Sequence, residues 1–250
     1  MAEHDKIRIA AIADIHVKKT SQGAFQDLFK KISESADILL MAGDLTDYGH
    51  VEEAQVLAKE MTGSLRIPVL AVLGNHDVEA NAQEEIVKIL TDAGIVFLDG
   101  EPFEFRGVGF AGVKGFCGGF GRRALGAWGE QIIKDFVHET VNEALKLESA
   151  LARLRTPQKI ALLHYAPIQA TVTGEPPEII AFLGSSRLEE PIDRYRCTAV
   201  FHGHAHRGSP EGRTKANAAV YNVAMPLLAA TSPDQLFRVI EVPVGESVAA

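Results

Sequence analysis

Five short polar clusters carry the side chains that could do chemistry in this chain. They are Asp14-Ile15-His16, Gly43-Asp44, Gly74-Asn75-His76-Asp77, His164, and Gly203-His204-Ala205-His206. Together they offer carboxylate, amide and imidazole donors and no thiolate. That set suits a borderline-hard divalent cation such as Mn, Fe, Co or Zn better than Cu(I) or a cysteine-rich zinc site. Asp14, His16, Asp44, Asn75, His164, His204 and His206 are too many ligands for one open tetrahedral ion. They suit two ions about 3.5–4 Å apart that share a carboxylate. Taken singly the clusters say little, since Asp or Asn after a strand is commonly a turn or cap residue. Five such clusters in succession point to a metal centre.

Each cluster closes an apolar run. "IRIAAIA" (Ile7 to Ala13), "DILLMAG", "IPVLAVLG", "KIALLH" and "CTAVFHGH" read as buried strands. The first three alternate with helical patterns in "FQDLFKKISES", "EEAQVLAKEM" and "NAQEEIVKILTDAG". Asn81 is the expected N-cap of the third helix, with Glu84 three residues on, and Gly94 its C-terminal glycine. Strand–helix alternation predicts an α/β protein with parallel strands, whose carboxyl ends gather ligands. "IVFLDGEPFEFRGVGFAGV" predicts short antiparallel strands. A long helix is expected from about Glu130 to Arg155, and "AAVYNVA" and "LFRVIEV" are further strands. The pattern suits two packed sheets with helices outside.

The chain has 250 residues, 46% hydrophobic and 23% charged, with a net charge of −8. It is expected to fold as one domain over 1–250, with a core at about 6–242 and a loose C-terminal tail. Its acidity argues against non-specific nucleic-acid binding. Cys117 and Cys197 form no disulfide framework, which together with the absence of a signal layout predicts a cytoplasmic protein. No apolar run is long enough to span a membrane.

In order and spacing, from residue 7 to about 206, these motifs resemble those of the calcineurin-like metallophosphoesterases: D-x-H, G-D, G-N-H-D, H and G-H-x-H. The resemblance implies a four-layer αββα sandwich, two packed mixed β-sheets flanked by helices, with a two-metal site at the strand ends. It assigns Asp14, His16 and His206 to one divalent transition-metal ion, and Asn75, His164 and His204 to the other. Asp44 would bridge them. His76 would face the substrate as a catalytic imidazole, oriented by Asp77. A metal-bridging hydroxide would attack phosphorus, and His76 would protonate the leaving oxygen. His202 falls outside the motif and is read as supporting or packed. His4, His50 and His138 are read as surface residues. Asp47 either supports Asp44 or caps the next helix, the cap being preferred.

The substrate is expected to be a small phosphate mono- or diester. Glycine-rich residues 112 to 130 form a candidate lid in which Phe116, Arg122 and Arg123, with Phe120 and Trp128, could contact substrate. A plain surface connection is the alternative. Two other functions stay open: a non-catalytic binding or scaffold module, and a metallohydrolase of another ester or amide. Oligomeric state is not legible.

Overall fold

The strand nearest the N-terminus shows why the sheets are buried on both faces. In β1 (Lys6–Ile12), Ile7, Ile9 and Ala11 point one way and Ala10 and Ile12 the other, and all five are buried. Such a strand needs a packed layer on each side. The computed structural model, which describes residues 6–244, supplies both layers.

The first sheet also contains β2 (Ile38–Ala42), β3 (Val69–Val72), β4 (Ile95–Phe97) and β11 (Arg238–Pro243). Its order is β11-β1-β2-β3-β4, with β1 to β4 parallel and β11 antiparallel to β1. The second contains β5 (Phe103–Phe105), β6 (Val108–Val113), β7 (Gln158–Leu163), β8 (Ala199–His202), β9 (Glu211–Arg213) and β10 (Ala219–Asn222). Its order is β5-β6-β7-β8-β10-β9. The four inner strands are parallel, and β5 and β9 close the edges antiparallel.

Three apolar layers separate four structural ones. Ile9, Leu40 and Leu70 meet Phe110, Leu162 and Phe201 between the sheets. Outside the first sheet, Phe29, Leu57 and Leu90 anchor α1 (Gln26–Ser35), α2 (Val51–Ser64) and α3 (Gln83–Asp92). Outside the second, Leu147, Leu151 and Ile192 anchor α4 (Gln131–Arg153) and α5 (Glu189–Arg194). A short α6 (Met225–Thr231) follows β10. This is the αββα sandwich expected from the motifs, with two mixed sheets flanked by helices. No described helix is long and apolar enough to cross a membrane.

Several local expectations are corrected. β4 runs parallel to β3 at the edge of the first sheet, because α3 returns the chain as a crossover; only β5 and β6 form the antiparallel pair. Asn81 does not cap α3. It takes a left-handed φ of 55° ahead of Ala82, which stands at the cap position without a side-chain bond. Asparagine tolerates that conformation better than most residues. Gly94 does end α3, at φ 99°. His50 is half-buried and stands at the N-cap of α2, where its N–H donates to the Glu53 carboxylate at 3.2 Å. His138 is exposed. His4 and the C-terminal tail from 245 lie outside the described residues.

Cys117 and Cys197 are both free and buried. Burial pushes their thiols up to about 11 and about 12. Neither forms appreciable thiolate near neutral pH, so both are poor nucleophiles. At pH 8, mass spectrometry should find little iodoacetamide label on the folded chain and two labels after urea unfolding. Stoichiometric labelling of the folded chain would contradict this placement.

Candidate metal centre

The carboxyl ends of β1, β2, β3, β7 and β8 meet where the two sheets face each other. Backbone bonds bring the first two together. Asp14 N–H donates to Gly43 O at 3.0 Å, His16 N–H to Asp44 O at 3.1 Å, and Val17 N–H to Leu45 O at 3.1 Å. The second sheet is tied in by side chains. The Asp14 carboxylate accepts the His204 N–H at 3.0 Å, and His164 Nδ1–H donates to Ala42 O at 2.9 Å.

These ties require unusual backbone. Asp14, His16, Asp44 and His204 all adopt positive φ, at 55°, 42°, 49° and 69°, and make up four of the eight non-glycine residues that do so among the described residues. Strained conformations of this kind concentrate at functional sites. Close approach also fixes two glycines. A Cβ on Gly203 would lie 2.3 Å from an Asp14 carboxylate oxygen, and one on Gly74 2.1 Å from an Asp44 oxygen. Gly203 is needed for this contact, with no positive φ involved.

All seven candidate ligands converge. Asp14, His16 and His206 place their ligand atoms within 4.8 Å of one another, and so do Asp44, His164 and His204. His206 Nε2 lies 3.0 Å from Asp14 Oδ1. Asn75 Oδ1 joins the second group, 2.8 Å from His164 Nε2. Asp44 stands between them, with Oδ2 3.8 Å from His16 Nε2 and Oδ1 3.5 Å from His164 Nε2. His76 forms a third group with His16 and Asp44.

The protonation pattern fits a cation-binding role. His164 Nδ1–H donates to the Ala42 carbonyl, so Nε2 is the ring atom turned toward Asn75 Oδ1, 2.8 Å away. Both ring nitrogens of His16 are buried without a hydrogen-bond partner, which is rare for polar atoms in folded proteins. Burial lowers the His16 imidazole, and lowers His204 to about 3, so both offer neutral nitrogens. Burial alone would raise Asp14. The hydrogen bond from His206, the charges of His164 and His206, and the His204 N–H outweigh it and hold the carboxyl at about 2. Asp44 is raised, by burial and by the neighbouring Asp14 charge. Two buried carboxylates among imidazole and amide donors form a set that a divalent cation satisfies.

The supporting residues differ from expectation. Asp77 does not touch the His76 ring. Its buried carboxylate accepts Gly74 N–H at 2.8 Å, Thr46 N–H at 2.8 Å, Thr46 Oγ1–H at 2.7 Å and Leu45 N–H at 3.2 Å, locking the β2 and β3 loops together. His76 is oriented by Asp47, whose carbonyl accepts its Nδ1–H at 2.6 Å. Asp47 neither caps α2 nor contacts Asp44 directly; its carboxylate lies 3.4 Å from His16 Nδ1. His202 is fully buried and lowered to about 4 by burial. It is therefore neutral, donating from Nδ1 to Gly203 O and accepting the Thr171 hydroxyl at Nε2, each at 2.8 Å.

At the rim, Phe116 packs against Phe136 and Tyr165. Arg122 and Arg123 are exposed and make no ion pair or side-chain hydrogen bond among the described residues. Tyr165 and Asn222 were not singled out from the sequence. The Tyr165 ring lies 4.5 Å from that of His204, and Asn222 Nδ2 donates to Ala205 O at 2.7 Å between the two histidines. Asn222 closes an apolar strand as Asn75 does, a signal that could have marked it.

The family model described as calcineurin-like phosphoesterase matches residues 7–208. The chain belongs to this family. A calcineurin-like phosphoesterase is a hydrolase that in general uses divalent metal ions, so the chain is a metal-dependent phosphoesterase in that broad sense. Among solved structures, it resembles a phosphopantetheinyl hydrolase from Mycobacterium tuberculosis at a TM-score of 0.67 and 16% identity, over 93% of this chain and 95% of that one. It also resembles a Staphylococcus aureus protein assigned as a 5′-nucleotidase, at a TM-score of 0.52 and 13% identity, over 87% of this chain and 48% of that one. This calcineurin-like chain thus spans about half of the latter protein. Identities this low speak for the fold. Comparison with curated proteins finds no match.

Gly203→Ala tests the close approach. The added methyl must push Asp14 aside, and metal affinity should fall about 10- to 100-fold, as for other groups that orient ligands. Competition against a chelating dye measures this, and an unchanged affinity would refute the packing argument.

Proposed function

We propose that this calcineurin-like phosphoesterase is a single-domain, two-metal hydrolase of small phosphate mono- or diesters. One observation carries the reading: Asp44 turns one carboxylate oxygen toward His16 and the other toward His164, each in a separate ligand group. Asp14, His16 and His206 would hold one divalent transition-metal ion, and Asn75, His164 and His204 the other. Asp44 would serve both. Mn, Fe, Zn and Co all suit these donors. When bound, the ions supply an activated water and offset charge on the phosphoryl oxygens.

The chain's own residues supply proton transfer and alignment. His76 Nδ1–H is fixed on the Asp47 carbonyl, which leaves Nε2 to face substrate. Burial pulls this imidazole down, but the Asp47 carbonyl and the carboxylates of Asp44, Glu79 and Asp47 outweigh it and raise it. An imidazolium at His76 can hand its Nε2 proton to the departing oxygen, a role worth typically about 10²–10⁴-fold. Asp77 holds the loops that carry Asp44 and His76 and so acts through them. Phe116, Arg122 and Arg123 are kept as candidate substrate contacts on the rim. The two buried free thiols support a reducing, cytoplasmic setting.

Hydrolysis of p-nitrophenyl phosphate and bis(p-nitrophenyl) phosphate across Mn²⁺, Fe²⁺, Co²⁺ and Zn²⁺ tests the activity. Absence of turnover on either ester with every metal would sink it. His76→Ala should lower kcat about 10²–10⁴-fold while elemental analysis still finds the wild-type metal content. Asp44→Asn should weaken both sites together. Loss of metal from the His76 variant, or unchanged metal content in the Asp44 variant, would overturn the assigned roles.

A further inference from the structure

Glu143 is a carboxylate that the helix carrying it does not need. It lies midway along α4 on the face packed against the second sheet and is 3% exposed. Leu147, Ala150 and Leu151 already anchor that face by apolar contact. A buried carboxylate is costly unless it is paired, so its partners show what it serves. One oxygen meets Lys146 Nζ at 2.6 Å, and Lys146 also pairs with Asp99. The other accepts Gly115 N–H at 2.7 Å. One turn earlier, the buried Thr140 donates its hydroxyl to Cys117 O at 2.6 Å. Both buried polar side chains of α4 thus reach the loop that follows β6.

That loop carries a strut to the metal centre. Lys114 O accepts His164 N–H at 3.0 Å and Tyr165 N–H at 3.2 Å. Lys114 O and Gly115 N–H belong to one peptide group, and in a planar trans peptide they point opposite ways. Glu143 therefore grips one end of the group while the other end holds the turn after β7. A charged acceptor on the N–H also polarises the group and strengthens the bonds its carbonyl accepts. Tyr165 passes the constraint on, its ring lying 4.5 Å from that of His204 and 5.4 Å from that of His164. His164 and His204 share one ligand group with Asp44. The other group is held differently: Asp14 and His16 N–H bond to Gly43 and Asp44 O, and His206 rests on the Asp14 carboxylate. We propose that Glu143 is a positioning residue for one ion of the pair. Through the Lys114–Gly115 peptide it fixes His164 and Tyr165, and so raises affinity selectively at the site of Asn75, His164 and His204. This rests on the two-metal reading above.

The full chain, freed of metal, is titrated with Mn²⁺ by calorimetry, and amide exchange at His164, Tyr165, Asp14 and His16 is followed by NMR in the metal-free chain. Glu143→Leu should weaken one binding step about 10- to 100-fold, as for other groups that orient ligands, and leave the other at its wild-type affinity. The weakened step should be the one that His164→Ala removes and His206→Ala spares. Exchange should quicken at His164 and Tyr165 and stay at the wild-type rate at Asp14 and His16. Glu143→Gln keeps an oxygen for Gly115 N–H without the charge. It should show the same selective weakening to a smaller extent, and it serves alone if the leucine variant does not fold. Equal weakening of both steps with faster exchange at all four amides marks a general structural role and overturns the proposal. So does unchanged binding of both ions. A wild-type chain that takes up a single ion overturns the two-metal reading instead, and the four exchange rates then decide the role of Glu143.

Discussion

Two carboxylates, Asp14 and Asp44, lie almost wholly out of water in the seam between the sheets. Like charges held in a dry place repel, and each loses its hydration. The protein meets this unequally. Asp14 takes the His206 imidazole and the His204 N–H and stays ionised at low pH. Asp44 receives His76 N–H at 2.9 Å and is nonetheless pushed upward by burial. An arrangement that raises one acid while leaving neutral imidazole nitrogens aimed between the two is poorly balanced by itself. Positive charge at that point is what balances it, and this requirement organises everything around the site.

The same seam explains the backbone. Asp14, His16, Asp44 and His204 sit in left-handed conformations, each of which costs about 1–3 kcal/mol outside glycine. These conformations are sustained because the surrounding bonds over-determine them. Asp77 fixes Leu45, Thr46 and Gly74 at once, and Asp14 spans from the first sheet to the loop after β8. Glycine at 74 and 203 lets backbone reach carboxylate without a side chain between. The centre is thus also a cross-sheet fastening, and the two sheets are joined at their carboxyl ends by polar contacts as well as along their faces by Phe110 and Phe201.

The strand ends were legible because each apolar run stops at a residue that no buried strand would carry without reason. The alternation of apolar strands with helices, and the helical spacing of α1 to α3, likewise made the layered fold readable, as did the order of the motifs. What could not be read were contacts that cross the chain. Asp77 reaches back over thirty residues to Thr46, and no local pattern announces that its four donors exclude His76. Asp47 reads as a cap because acidic residues often precede helices, yet α2 begins at Val51 and Asp47 turns toward His16. Asn81 obeys capping statistics but answers to the turn between His76–Val78 and α3. In each case a tertiary hydrogen bond or a turn overrode a local preference.

The overall charge adds a final constraint. A chain at −8 repels phosphate-bearing molecules at long range, and the screening length at physiological salt is about 8 Å. Beyond that distance the acidic surface matters little, and what an approaching anion meets is local. Locally, the centre gathers two carboxylates and therefore attracts anions only once its ligands hold cations. Arg122 and Arg123 are exposed without a carboxylate partner among the described residues. The carboxyl ends of the strands and the strained turns occupy one end of the sandwich together because the parallel connections deliver the ligand-bearing loops there.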